Sequence, residues 1–234
     1  MANENKEITN EQQGTENPET LENTIGNTEL FLDQNQSKIK NILIGIIVVL
    51  GGYIGINKLV LEPAEIESQD ALWEAQYIFE NDTSFVEATE LFQDIVNDYS
   101  STEAGNIANL YLGISQMKQG NFEDAIEALE DFEGSGLLMP AIGKGLLGDC
   151  YSENGESEKA ISLYKKAASS AKSKVYSPYF LKKAGILLEQ NSDNVQAAKL
   201  YQRILDVYYY EDIRDFGEER KEIVSFLERA KTAS

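Results

Sequence analysis

The feature that most constrains the fold of this 234-residue sequence is an internal repeat after residue 63. A small residue recurs in four aligned segments, at Ala88, Ala125, Ala160 and Ala197. Four residues after each alanine comes a large residue, at Phe92, Leu129, Tyr164 and Tyr201. Another small residue precedes each segment, at Ala75, Gly113, Gly148 and Ala184. Because small residues let two helices approach and large ones fill the space between them, the pattern predicts stacked helical hairpins.

The spacing of the aligned alanines, 37, 35 and 37 residues, and the residues around them resemble the tetratricopeptide repeat (TPR). In the best copy the family's signature positions hold Leu147, Gly148, Tyr151, Gly155, Ala160, Tyr164 and Ala167. The copies depart from the family at the early tryptophan, which is replaced by Asn109, Lys144 and Phe180, and at the closing proline, which is missing or displaced to Pro140.

This resemblance implies an all-α fold in residues 62–234, a TPR-like α-solenoid of about four helix pairs. The expected repeats cover residues 64–100, 102–136, 139–171 and 177–207. A C-terminal capping helix is expected over residues 211–231, because a repeat array needs its open end covered.

A second feature is the apolar stretch within residues 38–61, which is uninterrupted from Ile42 to Ile56. Continued through Asn57 and Lys58 to Leu61, it would form a helix of roughly 30 Å, the thickness of the hydrocarbon core of a bilayer. We predict a transmembrane signal anchor that contacts lipid from Ile42 to Leu61; a buried helix of a soluble protein is the alternative. A cleaved signal peptide is disfavoured because 37 mostly acidic residues precede the stretch.

The charges that flank the apolar stretch predict its orientation. Lys38 and Lys40 precede it, whereas acidic residues follow it. By the positive-inside rule the N-terminus lies in the cytoplasm and the C-terminal domain outside it. Within the stretch, Gly51 and Gly55 form a GxxxG pattern, which can bring two transmembrane helices together, although glycine is common in such helices in any case.

Composition narrows the possible functions. The net charge of −20 disfavours nucleic-acid partners, which require clustered Lys and Arg. The sequence has no histidine, which is both the commonest general base and a common metal ligand, and Cys150 is its one cysteine. We therefore predict no enzyme activity, no catalytic or metal-binding residues, no cofactor and no small-molecule substrate. The acidic residues 1–37 are predicted to be disordered, because they contain few apolar side chains.

The TPR resemblance also implies a site for a protein partner on the concave face formed by the first helix of each pair. By family positions this candidate groove is lined by Ile107, Leu110, Ile114 and Met117 in the second repeat and by Gly145, Asp149, Ser152 and Glu153 in the third. The Lys and Asn clamp that some family members use to bind a C-terminal carboxylate is not present at these positions. The mixture of apolar and acidic positions suits an unfolded or basic segment.

Over residues 38–231 the sequence is similar to the YfgM-like family of bacterial inner-membrane proteins. The stretch DIVNDYSSTEAGNIANLYLGISQMKQGNFEDAIEAL resembles members of the Bacteroidetes lineage in particular. The resemblance implies a periplasmic ancillary subunit of the Sec translocon that contacts periplasmic chaperones or translocating clients. A scaffold for envelope assembly or cell division, without a link to the translocon, is the alternative.

Overall fold

The computed structural model describes residues 18–81, 85–210 and 216–233, and within these ranges every regular element is a helix. The all-α fold expected from the sequence is thus confirmed. Residues 1–17, which belong to the segment predicted to be disordered, lie outside the described residues. The chain divides into two compact units, residues 1–60 and residues 61–234.

The first unit contains helix α1, Pro18–Ile56, which is followed by a π-helical turn at Asn57–Leu61. The helix starts 20 residues before the apolar stretch was predicted to begin, so residues 18–37 differ from the predicted disorder. Proline suits the first helical position because its fixed φ matches the helix and its missing N–H would have no partner there. Extending an existing helix also avoids the cost of a new nucleus.

The apolar part of α1 exposes its side chains on all sides. The large apolar residues from Ile42 to Ile56 are 49–71% exposed. By length and composition, one helix in the described ranges is able to span a membrane, and this stretch is its apolar part. A Cβ atom added at Gly51 or Gly55 would meet nothing within 4 Å, so their contact with a second helix stays a prediction.

The second unit is a series of nine helices in the ranges that the structure describes. Four pairs follow one another: α2 (Glu62–Asn81) with α3 (Val86–Tyr99), α4 (Glu103–Gln119) with α5 (Phe122–Asp131), α6 (Met139–Glu153) with α7 (Ser157–Ala171), and α8 (Tyr176–Gln190) with α9 (Asn194–Val207). The last helix, α10 (Gly217–Thr232), packs on α9 and buries Ile223, Leu227 and Ala230. Of the segment expected to form the cap, residues 211–215 lie outside the described ranges.

Close contact between a glycine and a large side chain joins the two helices of a pair. A Cβ atom at Gly148 of α6 would lie 2.7 Å from Cε1 of Tyr164 on α7. A Cβ atom at Gly113 of α4 would lie 2.5 Å from Cγ of Leu129 on α5. Ala160, the aligned alanine of α7, is fully buried. The sequence pattern therefore identified the contact positions of these two pairs.

In the fourth pair the small position of the first helix is one residue later than the sequence alignment placed it. Gly185, not Ala184, faces Tyr201, whose Cε1 would lie 2.5 Å from a Cβ atom added at Gly185. The contact glycines Gly113, Gly148 and Gly185 each precede the aligned alanine by 12 residues, and the same interval in the first pair leads to Gln76 instead of Ala75. In the first pair, however, Ala75 is the fully buried small residue and Gln76 is only partly buried. Ala184 is also fully buried, beside the contact residue Gly185.

We expect a large side chain at these contacts to destabilise the second unit. Gly148→Leu or Ala160→Leu should lower the free energy of unfolding by about 1–3 kcal/mol or more, because the core has no room for the added atoms. Thermal denaturation followed by circular dichroism should show a lower Tm. The control Glu158→Gln, at an exposed residue two positions before Ala160, should change stability by no more than about 0.5 kcal/mol. If Ala160→Leu has the same Tm as the parent protein, the assigned helix contact is wrong.

Candidate functional site

A pocket of about 640 Å³ opens between α4, α6 and α8 and includes residues from α5 and α7. It is lined by Ile114, Met117, Lys118, Phe122, Leu146, Asp149, Ser152, Glu153, Tyr164 and Lys183. Five of these residues belong to the predicted groove: Ile114, Met117, Asp149, Ser152 and Glu153. The first helices of the second and third pairs thus contribute to one concave site.

The other predicted groove residues have packing contacts instead. Leu110 is only 6% exposed and lies in the core with Leu129 and Cys150. Ile107 packs against the core of the first two pairs. Gly145 is buried against the ring of Phe180, which occupies the space a side chain would need. These positions precede the pocket-lining residues of α4 and α6 along each helix, and neighbouring side chains fill the space there.

A hydrogen-bonded cluster centred on Asp149 forms the polar part of the pocket. The Tyr164 hydroxyl donates to Oδ1 of Asp149 at 2.6 Å, and Nζ of Lys183 donates to the same oxygen at 2.5 Å. The Lys183 ammonium also lies 5.4 Å from the ring centre of Tyr164 and 5.3 Å from that of Tyr179. The cluster therefore joins three helices, α6, α7 and α8, through one carboxylate.

Sequence reasoning missed Lys183 and assigned Tyr164 to packing alone. The available signal was the repeat register, since Lys183 follows Asp149 by 34 residues, close to one period. A residue one period later lies on the first helix of the next pair, and adjacent first helices can place such residues side by side. Tyr164 serves both purposes: its ring packs on Gly148 while its hydroxyl reaches Asp149.

Burial and the Asp149 carboxylate change the protonation behaviour of this cluster. Burial raises the pKa of Tyr164, and the hydrogen bond to Asp149 and the negative charge of that residue raise it further. Burial on its own would lower the pKa of Lys183, but its hydrogen bond and charge interaction with Asp149 outweigh that effect, so the pKa is raised. Both groups thus stay protonated at neutral pH, the tyrosine neutral and the lysine positively charged.

The pocket combines apolar walls with charged side chains. Its walls include the apolar side chains of Ile114, Met117, Phe122 and Leu146, and Lys118 and Glu153 add charges of opposite sign. Among the described residues no cluster of three or more His, Cys, Asp or Glu side chains is arranged to hold a metal ion. Cys150 is fully buried, and burial raises its pKa to about 12, so its thiol is poorly reactive.

We expect the Asp149 cluster to make stability fall at high pH. In the unfolded chain the Tyr164 phenol ionises near pH 10, whereas in the folded state its raised pKa keeps it neutral. A group whose pKa is higher in the folded state stabilises the fold fully when the pH is below its pKa in the unfolded state. This contribution is lost as the pH rises toward and through its pKa in the folded state. The same sign holds for Lys183. The free energy of unfolding should therefore decrease above about pH 10.

Tyr164→Phe should make this decrease shallower and should also remove the hydrogen bond to Asp149, at a cost of about 1 kcal/mol at neutral pH. Urea denaturation between neutral pH and pH 11 measures both effects. The matched control is Tyr77→Phe, because Tyr77 is 63% exposed. Identical pH profiles for the two variants would contradict the assigned role of Tyr164.

Comparison with known proteins agrees with this fold. Residues 110–174 match the tetratricopeptide repeat family. A protein of Podosopora anserina, described as a kinesin light chain with nearly identical TPR-like repeats, superposes with a TM-score of 0.57 at 18% identity over 70% of this chain and 85% of its own. BtubC (BKLC) of P. vanneervenii superposes with a TM-score of 0.52 at 14% identity, over 74% of this chain and 84% of its own. MamA superposes with a TM-score of 0.50 at 17% identity, over 73% of this chain and 91% of its own.

No curated protein matches the chain significantly. Identities this low between this chain and the solved structures show similarity of fold and do not transfer a partner or a function. The repeat match and the shared architecture nevertheless agree on the same class of domain. The chain carries a TPR-like α-solenoid, a fold that generally serves as a non-catalytic module for protein–protein interaction.

Proposed function

We propose that this protein is a membrane-anchored, extracytoplasmic subunit of the protein-export (Sec) machinery whose TPR domain contacts chaperones or translocating clients. The observation that carries the anchor is the stretch from Ile42 to Ile56, whose large apolar side chains are 49–71% exposed. Each such side chain gains about 1.5–3 kcal/mol when it is removed from water. A bilayer removes all of them from water together, which strongly favours insertion.

The flanking charges support a location in the bacterial inner membrane, with the N-terminus in the cytoplasm and the repeat domain in the periplasm. Lys38 and Lys40 lie on the cytoplasmic side in this orientation, and Glu62, Glu65 and Glu67 on the other. Positive charges are retained on the cytoplasmic side during insertion, which is the basis of the positive-inside rule. The large acidic domain would then be exported.

The pocket supports a role in contacting exposed protein segments. Its apolar walls would hold a hydrophobic side chain of an extended or incompletely folded client. The Asp149 carboxylate already accepts hydrogen bonds from Tyr164 and Lys183, so an incoming apolar side chain would not leave this carboxylate without a partner. The link to export itself rests on the similarity of residues 38–231 to the YfgM-like family.

The orientation is tested with reporter fusions. Alkaline phosphatase fused after Ser234 should be active in a bacterial host, because this enzyme forms its disulfides only outside the cytoplasm. A cytoplasmic reporter at the same position should be inactive. Replacing Lys38 and Lys40 with Gln should reduce the fraction of molecules in this orientation. An active cytoplasmic reporter on the parent protein would reverse the proposed topology.

The partner is tested by site-specific photocrosslinking in native membranes. A photoreactive residue at Met117 or Ser152, both in the pocket, should crosslink to translocon subunits, periplasmic chaperones or exported clients. The matched control is the same residue at Lys166, which is exposed on α7 and outside the pocket. Crosslinks to envelope-assembly or cell-division proteins would favour the scaffold alternative. Equal products from the pocket and control positions would exclude the pocket as the binding site.

A further inference from the structure

The first helix of the solenoid, α2, presents an uncovered row of large apolar side chains. Ile66, Trp73 and Tyr77 are 63%, 74% and 63% exposed. Their spacing of seven and four residues puts them on one face of the helix. The other face of α2 is buried through Leu72 and Ala75. Two exposed aromatic rings and an isoleucine in a row are typical of an interaction surface.

The repeat register gives this row the same position as the pocket-lining face of α4. Ala88 and Ala125 are 37 residues apart, and the same interval leads from Trp73 to Leu110 and from Tyr77 to Ile114. Ile114 lines the pocket, and Leu110 is covered by its neighbours. Tyr77 is therefore at a pocket-lining position of the first repeat and Trp73 lies one helical turn before it, and both remain exposed.

Charge is distributed very unequally along the solenoid. The sequence from Glu62 to Asp131 contains 17 acidic residues and one basic residue, Lys118, whereas residues 132–234 contain 15 of each. The ion pairs found between described residues all lie in the second of these segments, between Asp149 and Lys231. Among the described residues, no carboxylate of the first two repeats is therefore in one of these ion pairs, although Glu130 lies near enough to Lys159 to raise its pKa.

Two of these carboxylates lie beside the apolar row. Asp70 is three residues before Trp73, and Glu74 is three residues before Tyr77, so each is one helical turn from an aromatic ring. Both are exposed. Negative charge and aromatic faces together attract Lys and Arg, through Coulomb attraction and through cation–π contact.

We propose that the face of α2 formed by Ile66, Asp70, Trp73, Glu74 and Tyr77 binds a basic amphipathic segment of a partner protein. Apolar residues of the partner cover the isoleucine and the two rings, and its Lys and Arg side chains pair with the carboxylates. The inference names a class of partner for the interaction role proposed above and does not depend on the Asp149 pocket.

The charges on this face argue against two other occupants. In a pairing of two copies through α2, Asp70 and Glu74 of one copy would meet the same acidic face of the other, and like charges would repel. Anionic lipid headgroups would be repelled in the same way. A basic protein segment instead offsets the charge of a region with 17 acidic residues and one lysine.

Trp73 is the only tryptophan in the protein, so its fluorescence reports directly on this face. The full chain in non-ionic detergent is titrated with a synthetic helical peptide that has Leu along one face, Lys on the other and no tryptophan. Binding should shift the Trp73 emission to shorter wavelength, saturate, and weaken as salt is added. A peptide with Glu in place of every Lys should not bind; equal binding of both peptides would overturn the proposal.

Variants locate the binding to α2. Asp70→Asn with Glu74→Gln should raise the Kd of the Lys peptide about five-fold or more. The control Glu123→Gln with Glu127→Gln removes the same charge from exposed positions on α5 and should change the Kd by less than about two-fold. Trp73→Ala, followed by calorimetry, should weaken binding about ten-fold or more, and its 74% exposure means the fold does not need it.

The proposal would be overturned if the two double variants lost peptide affinity equally, or if Trp73→Ala bound the peptide as tightly as the parent protein. It would also be overturned if the Trp73 emission shifted with protein concentration in the absence of peptide, because a second copy would then be the occupant. Met117→Ser, in the pocket, should leave the peptide Kd unchanged. If Met117 and Ser152 crosslink to export components but the peptide does not bind, this inference alone fails and the proposed function stands.

Discussion

The contact between a small residue of one helix and a large side chain of the next is the interaction on which the solenoid depends. At Gly148 the backbone of α6 approaches the ring of Tyr164 so closely that a single added carbon would lie 2.7 Å from it. The same relation recurs at Gly113 with Leu129 and at Gly185 with Tyr201. This approach also places the Tyr164 hydroxyl against Asp149. The packing of α6 on α7 and the hydrogen bond between Tyr164 and Asp149 therefore depend on one contact.

Much of the fold could be predicted from sequence because equivalent helix contacts recur in successive repeats. The buried alanines at positions 88, 125, 160 and 197 identify the second helix of every pair without any structural information. The first helix was harder to align, since Ala184 and Gly185 are both small and both buried. Only the ring of Tyr201 distinguishes them, and the sequence does not show which of two adjacent small residues a ring will touch.

The candidate site was predictable only in part, for a related physical reason. Five lining residues follow from the face of α4 and α6, which is a property of one helix at a time. Lys183 enters the site because α8 lies beside α6, which is a property of how successive pairs stack. Leu110 and Gly145 were predicted to line the groove but do not, because side chains of neighbouring helices fill the space there. Periodicity determines which residues share a face, whereas stacking decides whether that face is open.

The two ends of the solenoid differ in whether the outer face of the terminal helix pair is covered. At the C-terminal end, α10 buries Ile223, Leu227 and Ala230, and two ion pairs link it to α8, Lys182 with Glu222 at 2.9 Å and Arg229 with Glu189 at 2.5 Å.

At the other end, α2 packs on α3 and α4 but leaves its aromatic row exposed, in a segment with a large excess of carboxylates. A terminal repeat without a polar outer face normally lowers solubility, and in this protein the surrounding negative charge counters that effect by repulsion between molecules. The same charge that keeps two copies apart also limits which proteins can approach the row. An uncapped end of this kind can therefore remain exposed and still be selective.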